Sequence, residues 1–287
     1  MKRSRTVALV VLLAVIATVA AFIVLRPREP MYQGKRLSEW LEEWDTFNVD
    51  TNAPTAEAIR QMGSNTFPYL IRQLRAKDSV LKRKCAKLLE RLSLIRIDLG
   101  SADVHRQQGR AGFYVLGNLA APAIPELSKL LNAEDTSLDA AIVLVFIGPE
   151  AVLTLAQALT NSNASVRASV AFALAQAKWN AKAAVPNLLT CLLDKEANVR
   201  FSAAVALGLI HEEPETVIPV LITRLDDQDV SVREQAANAL RRFGRQARPA
   251  VPALLKAKES RDGQVAKFAT AALKAIGPEE ATSGGAK

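Results

Sequence analysis

The sequence predicts an all-α fold, an α-solenoid of helical hairpins preceded by one amino-terminal transmembrane helix. Three observations predict it. Landmarks recur every 33 residues: Val-Arg at 166, 199 and 232, Ala-Leu at 173, 206, 239 and 272, and proline at 186, 219 and 252. Apolar positions keep the same phase, at Val152, Val185, Ile218 and Val251 and at Leu155, Leu188, Leu221 and Leu254. Such a period marks units that bury their apolar faces only against neighbouring units. Finally, residues 6–25 carry no charge, proline or glycine.

The chain begins with a basic tail, residues 1–5, holding Lys2, Arg3 and Arg5. Thr6–Leu25 follows, and thirteen of its twenty residues are Val, Leu, Ile or Phe. As a helix rising 1.5 Å per residue it spans roughly 30 Å, the thickness of a bilayer's hydrocarbon core. Those thirteen side chains favour insertion by on the order of 4–8 kcal/mol. A cleaved signal peptide is the competing reading, but the run is longer than an ordinary signal core and ends in Val24-Leu25-Arg26-Pro27 without a small-x-small site. A buried core helix also competes, although five turns without a polar face are foreign to one. A short basic tail before a first span stays in the cytoplasm, which places the solenoid on the non-cytoplasmic, periplasmic side.

Residues 26–36 read as a charged linker, because Pro27 and Pro30 oppose helix continuation. Residues 37–63 read as amino-terminal cap helices. Leu37, Trp40, Leu41 and Trp44 form one apolar stripe at helical spacing, and Gly63 is a helix stop. The stripe could instead form an aromatic ligand site; sealing the open end of the array is the plainer use.

Residues 64–277 read as the repeats, and 278–287 as a disordered tail. In residues 183–210, Pro186 sits in the first turn of a helix whose Val185, Leu188, Leu189 and Leu192 share a face. The polar stretch Asp194–Asn198 turns the chain. Val199, Ala203, Leu207 and Ile210 line the second helix, whose Ala203, Ala204 and Ala206 allow close helix approach. Phe67 and Ile124, equivalent landmarks, lie 57 residues apart, so the array holds a surplus around Ile97–Gln108. It reads as a long inter-helix loop or, alternatively, as a ligand-contacting insertion.

The motif Val185-Pro186-x-Leu188-Leu189, Asp194, Val199-Arg200 and Ala203-x-x-Ala206-Leu207 returns as Ile218-Pro219-x-Leu221-Ile222, Asp227, Val232-Arg233 and Ala236-x-x-Ala239-Leu240. It resembles the HEAT-like repeat, in particular the short bacterial form shared with phycobilisome-lyase-type proteins. The resemblance extends more loosely over residues 58–277 and implies a HEAT-like superhelix. It further implies a ladder of hydrogen bonds between an Asp and an Arg six residues later, which Asp194–Arg200 and Asp227–Arg233 match. Arg167 has Asn161 before it, and the last unit has Ser260 and Ala266, so the ladder is expected to weaken at one step and to be lost at the end.

The 287 residues carry a net charge of +8. Residues 1–30 hold five basic side chains and one acid, and the remainder 32 and 28, so each part contributes +4. That modest excess is weak evidence for a nucleic-acid partner, which is not the one expected. Cys85 and Cys191 lie in separate repeats, too far apart for a disulfide, which needs Cα atoms within about 7 Å. His105 and His211 stand alone, and no metal-ligand, nucleophile or phosphate-loop motif occurs. No catalytic residue, metal or cofactor is therefore assigned. Basic clusters at Lys82, Arg83, Lys84, Lys87 and Arg91 and at Arg241, Arg242, Arg245 and Arg248 are solvated helix faces, or contacts for lipid headgroups or an acidic partner. The function expected is a membrane-anchored, non-catalytic scaffold for a protein or peptide partner. The alternatives are a nucleic-acid-binding HEAT-like protein and a lyase or maturation enzyme.

Overall fold

The structure, a computed structural model, describes residues 29–44, 50–78 and 101–277. The tail 1–5, the apolar run Thr6–Leu25, Cys85, the Lys82–Arg91 cluster and residues 278–287 lie outside these. Among the described residues no helix is long and apolar enough to cross a membrane.

The second half of the linker is more ordered than a plain tether. Met31–Tyr32 (β1) pairs antiparallel with Lys35–Arg36 (β2) across Gln33-Gly34. Both turn residues have positive φ, 51° and 78°, as a two-residue hairpin with strand-matched twist requires. Helix α1, Leu37–Glu42, then buries Leu37 and Leu41 completely and brings Trp44 under cover. Trp40 is half-buried against Tyr32, with the Lys35 ammonium 4.4 Å above its ring. The stripe is thus spent on packing. Helix α2, Pro54–Met62, ends at Gly63.

Among the described residues six helix pairs follow. They pair α3 (Phe67–Leu74) with α4 (Ala102–Leu116), α5 (Ile124–Leu131) with α6 (Ser137–Ile147), and α7 (Pro149–Ala158) with α8 (Ala164–Ala177). The last three pair α9 (Val185–Cys191) with α10 (Ala197–Ile210), α11 (Pro214–Arg224) with α12 (Val230–Phe243), and α13 (Val251–Lys258) with α14 (Gly263–Ile276). Every first helix carries proline in its opening turn, where no intrahelical bond is lost. Second helices carry none. They pack on one another in sequence, α4 through α14, while each first helix except α7 rests mainly on its own partner; α7 packs more on α6 and on the 3₁₀ segment Lys178–Ala184. Among the described residues substantial contacts within the array join only the same or consecutive hairpins, as a solenoid demands. Fully buried alanines, Ala171, Ala173, Ala203, Ala204, Ala206, Ala236 and Ala237, let the second helices approach closely.

Ile97–Gln108 does not form a long loop where it is described: residues 102–108 are the first two turns of α4. Ser101 caps this helix by accepting a hydrogen bond from the Val104 N–H. Gly109 and Gly112, which punctuate the sequence like a loop, sit mid-helix against Leu74 and Leu70. They are there for close approach.

Two junctions lack the 3₁₀ segment that the others carry: after α6, where Gly148 (φ 113°) leads straight into α7 at Pro149, and after α10. After α4 and α12 the chain turns at Gly117 (φ 50°, ψ −127°) and Gly244 (φ 52°, ψ −129°), then runs through a 3₁₀ segment into the next hairpin. That region is open to glycine alone. After α10 the equivalent residue is His211, so the path is closed. The chain instead uses left-handed His211 (φ 58°) and Glu213 (φ 51°) and starts α11 directly at Pro214. The left-handed conformation costs a side-chain-bearing residue roughly 1–2 kcal/mol. Glu213→Gly is therefore expected to raise the thermal midpoint, with a gain of about 0.5–1 kcal/mol after the added unfolded-state entropy of glycine. A calorimetric midpoint at or below that of the parent protein would contradict it.

Candidate functional site

Two rows of side chains run along the array, one holding it together and one facing outward. The first is built on arginines near the start of second helices. Arg167 forks Asp194 with Nε–H and Nη2–H bonds of 2.7 and 2.8 Å, and its Nη1 donates to the carbonyls of Asn161 and Ser162. Arg200 repeats this on Asp227 at 2.8 and 2.7 Å, with Nη1 on the carbonyls of Asp194 and Lys195. Arg233 donates to Asp262 at 2.5 Å and to the carbonyls of Asp227 and Gln228. Each guanidinium thus ties down the turn of its own hairpin and grips the carboxylate of the next.

The six-residue Asp–Arg spacing is real, but it is served by the aspartate's main-chain carbonyl. The carboxylate partner lies 27 residues downstream of each bidentate arginine. The final step, expected to be lost at Ser260 and Ala266, is made by Asp262, whose N–H also donates to the Ser260 hydroxyl oxygen. Upstream, Asn161 continues the row as a neutral amide contact to Asn132 at 2.9 Å. Burial pushes the Asp194 and Asp227 carboxyls up, but the Arg167 and Arg200 hydrogen bonds and a local N–H more than offset it. Both are held below the usual carboxylate range. Sequence reasoning missed buried Asp139, which pairs with Arg110 and approaches Arg106 at 3.5 Å. A lone acid in the otherwise apolar stretch 138–147 was the available signal.

Cys191 is buried, its thiol pushed up to about 11 mainly by that burial. His211 stacks on Phe243 at 4.6 Å. Among the described residues no group of three or more His, Cys, Asp or Glu could hold a metal ion.

The second row is the solvent face of the second helices, and its chemistry changes along the array. At one register position stand Leu138, Ala168, Phe201, Glu234 and Lys267 on α6, α8, α10, α12 and α14. One turn on stand Ile142, Phe172, Val205, Asn238 and Ala271. The framework beneath is constant; the outward residues pass from apolar to polar between α10 and α12. A cleft of about 460 Å³ opens between α8 and α10, lined by Leu138, Ala168, Phe172 and Phe201 together with the polar side chains of Asn198 and Glu196 among others. Leu138 is 39% and Phe172 42% exposed. Arg241 and Arg242 end α12, with Arg245 and Arg248 on the turn that follows and Lys267 and Lys274 on α14. Arg241 donates to Asn238 Oδ1 at 3.1 and 3.0 Å. Among the described residues none of these six cations forms an ion pair.

A sequence model of HEAT repeats matches residues 152–241 and 218–283. Residues 152–283 are thus built of HEAT repeats. No curated protein matches the sequence. Among solved structures, an engineered protein is 25% identical, with 73% of this chain and 96% of that one covered and a TM-score of 0.47. A designed armadillo repeat protein in complex with the peptide (KR)4 is 20% identical over 73% and 99%, TM-score 0.44. The Escherichia coli protein YIBA is 17% identical over 85% and 99%, TM-score 0.43. Within the matched residues, α9, α11 and α13 are the first helices of the repeats. The apolar cleft and the cationic end both lie on the second helices.

Proposed function

We propose that this HEAT-like protein is a non-catalytic scaffold that docks a protein or peptide along the face of its second helices. The supporting observation is the apolar row on α6, α8 and α10, centred on the Phe172–Phe201 cleft. Contiguous exposed apolar surface in a cleft, flanked by polar residues, is what an interaction site looks like. The small residues Ala168 and Ser169 leave room between the two phenylalanines for one inserted anchor side chain. A nucleic-acid backbone needs cations along its whole path, and among the described residues this face offers unpaired ones on its last two helices alone.

The scaffold is anchored in a membrane through Thr6–Leu25 as a single-pass protein, with the solenoid on the periplasmic side. The support is the uncharged length of that run and the basic tail before it. A reporter that is active outside the cytoplasm, joined after Lys287, is expected to be active; activity of a cytoplasm-restricted reporter would reverse the orientation.

The docking face is tested by panning a random peptide display library on the full-length protein. Enriched peptides should carry Phe, Leu or Trp anchors, and Phe172→Asp should weaken them by tenfold or more without lowering the melting midpoint. Peptides that bind Phe172→Asp as well as the parent would refute the site.

A further inference from the structure

Resting on the proposed docking face, we infer that its occupant is bipartite: an apolar anchor segment continuing into a run of acidic residues, laid from the α8–α10 cleft toward α14. The cleft takes the anchor. Beyond it, the rows holding Gly208 and Leu209 on α10 hold Arg241 and Arg242 on α12, and Lys274 on α14 continues the first of them. Lys267 extends the Phe201 row, and Glu234, also in that row, is its one acid. Arg245 and Arg248 widen the same end of the molecule.

These cations are exposed or half-exposed and unpaired among the described residues, in contrast to Arg167, Arg200 and Arg233 on the same repeats, which are all consumed by the ladder. The repeat therefore spends one set of arginines on cohesion and presents a second set outward, on the two helices where the apolar surface stops. Charge complementarity selects an acidic stretch there.

The geometry also sets a spacing. Packed helices lie roughly 10 Å apart, so an extended chain crossing from the cleft to α12 uses about three to five residues. Acidic side chains are expected from that distance onward. An anionic bilayer would satisfy the cations, but a flat surface fills no cleft between two helices, so a polypeptide is the occupant the face favours.

The test uses the full-length protein in a neutral detergent and three synthetic fluorescent peptides. All share a Phe-Leu anchor, and their flanks are Asp/Glu, Asn/Gln or Lys/Arg. By anisotropy the acidic peptide should bind about tenfold more tightly than the neutral one, the sum of several exposed pairs of modest strength. The advantage should vanish near ~1 M salt, where screening acts within about 3 Å. The double variant Arg241→Glu, Lys274→Glu should turn the preference toward Lys/Arg flanks, while Phe172→Asp should weaken all three peptides alike. Equal binding of acidic and neutral flanks, with Phe172 still required, overturns the bipartite occupant and leaves the docking face standing. Binding of none of the peptides, or no effect of Phe172→Asp, overturns both. Phosphatidylglycerol vesicles bound in dependence on Phe172 and Arg241, with no peptide bound, overturn it in favour of lipid.

Discussion

Arg200→Ala should lower the stability of the solenoid by about 3 kcal/mol, because it strips a buried carboxylate of its main partner. The Asp227 side chain is 3% and the Arg200 side chain 12% exposed, and the two meet through both guanidinium donors. Truncation also frees the carbonyls of Asp194 and Lys195 at the end of the preceding turn. Arg224, 3.4 Å from Asp227, remains as a partial substitute, which keeps the loss below that of an isolated buried charge. Lysine at position 200 cannot reproduce the fork and should rescue only part of it. Lys256–Asp226 makes the control: it joins the same neighbourhood, but its side chains are 73% and 71% exposed. Lys256→Ala should leave the midpoint unmoved.

The pH dependence carries the same sign. Asp227 sits below its ordinary value when folded, so its contribution is fully present above the unfolded pKa of about 4 and is lost as pH falls through the folded value. Denaturant melts should therefore show the gap between parent and Arg200→Ala closing on acidification. Peptide affinity should stay the same, since neither Arg200 nor Asp227 lines the cleft. A variant that melts normally but no longer binds would reverse the assignment of these residues from structure to recognition.

Gly208→Val should cost about 1–3 kcal/mol by overpacking the contact between α10 and α12. A Cβ at position 208 would lie 2.9 Å from both Cα and Cβ of Ala239. The obstacle is main chain on a packed helix, so the two helices must separate. The cost differs at Gly112, where a Cβ would meet the Leu70 side-chain end at 2.5 Å and a rotamer change can relieve it. Because each hairpin is supported by its neighbours, a weakened α10–α12 joint should also split the cooperative melt, the last two hairpins unfolding first. A single unshifted transition in calorimetry would show that the helices tolerate the added volume.

Much of the architecture could be read without coordinates. The opening prolines, the alanine-rich second helices and the turns at Asp194 and Asp227 are local signals, each decided within one hairpin. The surplus around Ile97–Gln108 was visible only as a break in spacing, which does not say whether the extra residues form loop or helix; its described part, 102–108, continues into a helix whose Gly109 and Gly112 admit Leu74 and Leu70 from another helix. The ladder was half legible. Its six-residue spacing lies within one hairpin, but the grip of Arg200 on Asp227 and of Arg233 on Asp262 crosses between two, and a side chain's partner there depends on how the hairpins stack.

From residues alone came the period of 33, the order of the helices and the apolar leader, because burial of one hairpin against the next imposes one pattern on every unit. Stacking alone decided which outward positions become neighbours: Phe172 with Phe201 across a cleft, and the unpaired cations beyond them. Those positions carry no packing constraint, so the repeat pattern passes over them, and their meaning appears only when the helices are set side by side.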